Sequence, residues 1–138
     1  MSAVVIDPSL VALPNGNHVI RDEITVAEAV LQGQVGYSSG NNEYSLANNV
    51  ALASAAAGCL FLLPSAADGK TIILLRGHVI LGATSALSVG TAYYLSGVDG
   101  GIFQESDLVA NMFSTFLGIA ISTAILDFQP IPTGIQIP

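Results

Sequence analysis

The chain has 138 residues, of which 51% are apolar and only 9% charged, with a formal net charge of −7. Three Lys and Arg against ten Asp and Glu exclude the cationic footprint that phosphate backbones and anionic lipids attract, and a single cysteine excludes an internal disulfide. A chain this apolar and this poor in charge covers its surface with neighbouring subunits or with neutral Ser, Thr and Asn side chains, which points to an assembly component before an enzyme.

The start, Met1-Ser2-Ala3-Val4-Val5-Ile6-Asp7-Pro8, carries neither the basic region nor the sustained apolar run of a signal peptide, so synthesis and retention in a cytoplasm is expected unless the protein is carried out within a larger particle. Over residues 1–23 the punctuation Pro8, Pro14, Asn15-Gly16-Asn17 and Arg21-Asp22-Glu23 leaves no helical or strand period. The reading is an extended N-terminal arm whose Val4, Val5, Ile6, Leu10 and Val11 lie on a neighbouring subunit or another protein.

A β domain over residues 24–129 follows. Gln34 to Ser38 and Glu43 to Leu46 flank the turn cluster Ser39-Gly40-Asn41-Asn42 and read as a hairpin. Asn48-Asn49 as a cap, Val50 to Ala57 and Gly58 as a stop read as the one short helix. Lys70 to Leu75 and His78 to Leu81 form a second candidate hairpin around Arg76-Gly77. Thr91 to Ser96 and Ile102 to Gln104, joined by Val98-Asp99-Gly100-Gly101, form a third, and Phe113 to Ile121 with Ala124 to Phe128 supply the last pair. Short strands at this spacing predict a mainly β fold, a small barrel or sandwich. The final segment, 130–138, alternates Pro and polar residues with Ile131, Ile135 and Ile137, and reads as an extended C-terminal tail with apolar contacts to make.

Gly33 to Gly40 aligns with Gly90 to Gly97, and Gly58 to Leu62 with Gly118 to Ser122, which predicts two similar half-barrels if the duplication is real. Leu108 to Leu126 and Tyr44 to Ala67 are uncharged and long enough to span a bilayer, but acids flank both, no Lys or Arg excess orients either, and polar or helix-breaking residues interrupt each.

Residues that carry chemistry are few. His18 and His78 have no Cys, His or carboxylate at ligand spacing, so neither a metal nor another cofactor is expected. Gly69-Lys70-Thr71 imitates the end of a phosphate loop, but Pro64 stands where its first glycine belongs and Ile72 to Leu75 reads as strand instead of helix. Glu105 and Asp107 read as solvated loop acids, and Cys59, beside Leu60 and Phe61, as a core thiol. Tyr37, Tyr44, Tyr93 and Tyr94 either brace the barrel or reach a contact; Tyr93 and Tyr94 point to opposite faces, and Tyr93 is taken as the subunit-contact residue.

The Ala-rich stretch Ala53 to Gly58, the run Arg76-Gly77-His78-Val79-Ile80-Leu81-Gly82-Ala83, and Leu87 to Ser96 followed by Gly100-Gly101-Ile102 resemble the small β-rich decoration (cement) proteins of tailed-bacteriophage heads, over roughly Ile24 to Gln129. The resemblance implies a non-enzymatic virion protein, often a homotrimer, that sits on the capsid exterior, binds the major capsid protein and stabilises the shell, with neither nucleic acid nor membrane as a partner. Two alternatives compete with it. A receptor- or glycan-binding β module of a head or tail fibre would use the tyrosines and turn loops. A small enzyme or carrier domain of barrel type is the other, and a carrier would need Lys70 at a hairpin tip.

Overall fold

The computed structural model of the protein describes residues 4–13, 20–82, 87–104 and 107–138. It is mainly β, with nine strands among the described residues: β1 (Ile20–Val26), β2 (Val35–Gly40), β3 (Glu43–Leu46), β4 (Ala57–Phe61), β5 (Lys70–Ile80), β6 (Ala92–Leu95), β7 (Ile102–Gln104), β8 (Phe113–Ala120) and β9 (Ile125–Gln136).

Alternating burial sorts these strands into two cores. In β4, Cys59 and Phe61 face the first core and Leu60 the second; in β5, Ile73 faces the first and Leu74 the second. Around the first core β1 pairs with β3, β3 with β2, β2 with β4, β4 with β5 and β5 back with β1, closing a five-stranded ring. Only the β1–β3 contact is parallel. Closure removes the free edges that an open sheet of this size would present.

The second core, which includes Leu81, Tyr93, Leu95, Leu117, Leu126 and Phe128, lies between the outer faces of β2, β4 and β5 and a second sheet. That sheet runs from the C-terminal half of β5 through β9, β8 and β6 to β7. β5 therefore belongs to both halves. The sequence-based hairpin around Arg76-Gly77 is corrected here: the chain runs straight through as one 11-residue strand. Gly77, at φ 131°, absorbs the irregularity where β5 exchanges β1 and β4 for β9, and apolar packing against both cores keeps the strand continuous.

The helix expected over Val50 to Ala57 is also corrected. One turn forms, with Ala55 N–H donating to Ala51 O at 2.9 Å, and Ala57 then enters β4 opposite Tyr37. So short a run cannot repay helix nucleation once its flanks are committed elsewhere. Asn48 Oδ1 accepts from Val50 N–H and Ser54 Oγ, while Asn49 is buried in contacts with β6 and β8.

The N-terminal arm departs from its expected boundary and partner. β1 begins at Ile20, inside the segment read as arm, because it finds edges of both β3 and β5 to pair with. Residues 4–13 are largely extended, as read, but lie on their own chain. Val4 N–H donates to Ile102 O at 2.7 Å, Asp7 N–H to Gly82 O at 2.8 Å, and Ala12 bridges Ile80 in both directions. The segment thus spans from β7 to the free side of β5 and straps the second half shut. Asp7 caps a single 3-10 turn, Pro8–Leu10, by accepting from Ser9 N–H at 3.1 Å, with Pro8 already at a helical φ. Val4, Ile6, Val11 and Leu13 pack against the second core.

The two halves repeat a connectivity. In each, a hairpin (β2–β3, β6–β7) is followed by a strand on the other side of its first member (β4, β8), and that strand pairs with the next (β5, β9). A register shift falls between Gly36 and Tyr37 in the first half and between Tyr93 and Tyr94, the aligned pair, in the second. The tail is the continuation of β9 and not a separate segment: Ile131 pairs with Phe116, Pro132 with Thr115 and Gln136 with Phe113. Beyond Phe128 no backbone partner lies on the other side of β9 among the described residues, and Pro130 and Pro132 suit such an edge.

Candidate interaction surface

A candidate interaction surface is built by three loops and the β9 tail, joined by hydrogen bonds of the Asn48 side chain and of the Asn49 and Asn111 backbones. Asn48 Nδ2 donates to Asp99 Oδ1 at 2.9 Å, joining the 47–56 loop to the β6–β7 turn. The Asn49 backbone receives Phe113 N–H at 2.9 Å and donates to Ser96 O at 3.0 Å, tying the same loop to β6 and β8. Asn111 N–H donates to Ile137 O at 2.8 Å and Ile137 N–H to Met112 O at 2.7 Å, fixing the tail to the loop before β8. A Cβ built on Gly134 would stand 3.7 Å from Leu52 Cδ1, so the 47–56 loop also touches the tail.

On this framework six large aliphatic side chains face solvent: Val50 (66% exposed), Leu52 (58%), Val98 (66%), Val109 (56%), Ile131 (54%) and Ile135 (63%). Single exposed aliphatics need no explanation, but these six stand on segments bonded to one another and together form a candidate apolar region. Between the β6–β7 turn and the 107–112 loop lies an open depression of about 300 Å³ lined by Ser96, Gly97, Val98, Phe103, Asp107, Val109 and Met112. A second, open depression of about 570 Å³ is formed by Ala29, Val30, Leu31 and Gln34 against Pro64, Ser65 and Ala66.

The residues singled out from sequence divide. Ile131 and Ile135 are exposed on the tail and belong to the apolar region; Ile137 is half-buried beside them, its backbone bonded to Asn111 and Met112. Val5 and Leu10 are exposed on the strap, while Val4, Ile6 and Val11 are half-buried against their own second core. Tyr93 as a contact residue is corrected: it is 1% exposed, and its hydroxyl accepts from Ser88 N–H at 3.0 Å, because an inward position on β6 places the ring in the second core. Its neighbour Tyr94 is half-buried and meets Phe116 edge to face, with ring centroids 5.8 Å apart.

Sequence reading missed Val50, Leu52, Val98 and Val109. The available signal was bulky aliphatic residues inside turn segments: Val98 opens an Asp-Gly-Gly turn, and Val50 and Leu52 stand in the segment read as helix, which forms only a single turn.

Polar chemistry is sparse around the fold. His78 Nε2 stands 3.8 Å from Asp127 Oδ1 across the β5–β9 pair, a carboxylate that linear spacing hid, and the two are partly exposed. Among the described residues no three His, Cys, Asp or Glu side chains gather as a metal site; His18 and Glu105 lie outside those residues. Lys70 is exposed at the start of β5, with strand following it where a phosphate loop would have helix. Burial pushes the Cys59 thiol pKa well up, against a smaller opposing effect of a hydrogen bond with the Gly36 backbone. No helix among the described residues is long and apolar enough to cross a membrane. Comparison with models of protein families, with curated proteins and with solved structures finds no match to this chain.

Proposed function

We propose that the protein is a structural virion component that binds the outside of an assembled phage capsid and cements it, working as a closed homotrimer without chemistry of its own. The observation that carries this reading is the apolar region: six exposed aliphatic side chains on hydrogen-bonded loops and the β9 tail, in a chain with 9% charged residues. Aliphatic surface ringed by Asn, Ser and Asp suits a protein partner, and the prolines of the β9 edge discourage open-ended strand addition in favour of side-chain contact. Closed cyclic symmetry buries a repeated patch without forming fibres.

The glycan-binding alternative draws on exposed aromatic platforms, whereas Tyr93 is buried and Tyr37, Tyr44 and Tyr94 are half-buried. A subunit that binds only the assembled shell stabilises it by mass action, about 2.7 kcal/mol per site at a hundredfold excess over Kd. Decorated and bare heads of the phage encoding the protein are compared by thermal release of DNA. A higher release temperature for decorated heads supports the reading, and equal temperatures overturn it.

A further inference from the structure

All three Lys and Arg residues of the chain stand on one pair of strands, Arg21 on β1 and Lys70 and Arg76 on β5. Lys70 and Arg76 are exposed, and among the described residues neither has an ion-pair or side-chain hydrogen-bond partner. Alternation sends Thr71, Ile73 and Leu75 inward, so Lys70 and Arg76 share the outward side of β5 with Ile72. Two acids stand nearby: Asp68, in the turn before β5, and Glu23, opposite Ile72 and already engaged elsewhere. Ile72 also lines an open depression of about 260 Å³ whose other residues are aliphatic too, Val11, Ala12 and Leu13 of the strap facing Leu62 and Leu63. This side of the molecule is therefore an apolar hollow beside two uncommitted cations.

The opposite chemistry stands at the other end of the strap. There Val4, Ile6 and Pro8 meet the β6–β7 turn at Val98 and Asp99. Val98 and Val109 are exposed, with the Asp99 and Asp107 carboxylates beside them, and no Lys or Arg is on this end to offset the acids. Residues 4–13 separate the two surfaces within one molecule, so they meet only between copies. Copies of net charge −7 repel one another overall, and the contact that sets the acids of one against the cations of the next is the one that charge complementarity selects. Because the two surfaces differ, the contact is heterologous, and repeating it about a rotation axis closes a ring.

We propose that copies of the chain join head to tail, the Val98 and Val109 loops of one, with Asp99 and Asp107, seating on the strap-side depression of the next, beside its Lys70 and Arg76. The inference rests on the homotrimer reading and leaves the Leu52 and Ile135 end of the apolar region to the shell. The test is sedimentation velocity of the full chain at about 50 mM salt, where exposed charges are weakly screened. Two double variants are used, Lys70→Glu with Arg76→Glu and Asp99→Lys with Asp107→Lys, each keeping the wild-type circular dichroism spectrum. Wild type is expected to run as a trimer, and each variant alone to associate about tenfold more weakly. An equimolar mixture of the variants re-associates, but unlike neighbours must alternate, so it forms species of two or four chains and no trimer. Leu63→Asp, at an exposed wall of the depression and outside the charged set, likewise dissociates the trimer. A monomeric wild type, a variant that still forms the trimer, or a mixture that stays apart overturns the proposal. Head binding by wild type with no re-association of the mixture removes this inference alone, and re-association without head binding removes only the decoration reading.

Discussion

Gly33 and Gly90 hold the same place in the two halves of the molecule. Each is the third residue of a turn, closed by Gln34 N–H to Leu31 O in one half and Thr91 N–H to Ser88 O in the other, at left-handed φ of 85° and 81°. Each donates its N–H at 2.8 Å to a carbonyl at the end of the strand across from it, Phe61 O on β4 and Ala120 O on β8. Their surroundings differ. A Cβ at position 33 would stand 2.9 Å from Ile6 Cγ2 and 3.0 Å from Val11 Cγ2 of the strap, whereas one at position 90 meets nothing within 4 Å.

Gly90→Ala accordingly bears only the left-handed backbone cost of about 1 kcal/mol, and Gly33→Ala that cost plus displacement of the strap. Chemical denaturation is expected to show the larger loss for Gly33→Ala. In a chain lacking residues 2–13 the two losses converge; a persistent difference would show that the strap is not its cause.

Removing residues 2–13 uncovers the second core where Val4, Ile6, Val11 and Leu13 pack. Four half-buried aliphatic side chains correspond to a loss of roughly 3 kcal/mol in unfolding free energy. β1 stays intact because it begins at Ile20, and the apolar region on the loops and tail is untouched. The truncated protein is therefore expected to unfold at lower denaturant yet still bind heads. Loss of head binding with a native-like spectrum would return the arm to the contact role its sequence suggested.

Burial of Cys59 raises its thiol pKa above the ordinary value of 9.0. The thiol therefore contributes stability that is complete below about pH 9; above it the unfolded chain releases a proton that the fold retains, and the contribution declines as pH climbs toward the folded pKa. Cys59→Ala is expected to flatten the fall in stability on the alkaline side of pH 9. The native thiol should react with a disulfide reagent only as fast as the chain opens. Rapid labelling of folded protein at neutral pH would contradict this burial.

The β class and the hairpins β2–β3, β6–β7 and β8–β9 were legible because turn residues and alternation coincide there. The β5 hairpin and the short helix were misread for a shared reason: local punctuation, Arg76-Gly77 and Asn48-Asn49, was given a local meaning. Both segments answer to distant partners, β9 for the first and Ser96, Asp99 and Phe113 for the second. Tyr93 shows the limit of strand periodicity, which separates it from Tyr94 but does not say which faces inward. The exposure of Ile131 and Ile135 was legible because a proline-rich segment cannot bury them, while that of Val98 and Val109 became visible only once the loops were placed.

The central claim is that the apolar region docks the protein on a capsid, and co-sedimentation with assembled empty heads tests it most directly. Wild-type protein is expected to pellet with heads to a fixed copy number. A Leu52→Asp, Ile135→Asp double variant, altered at two exposed positions and keeping the wild-type thermal midpoint, should stay in the supernatant. Equal pelleting of the double variant, or no pelleting of the wild type, would contradict the account.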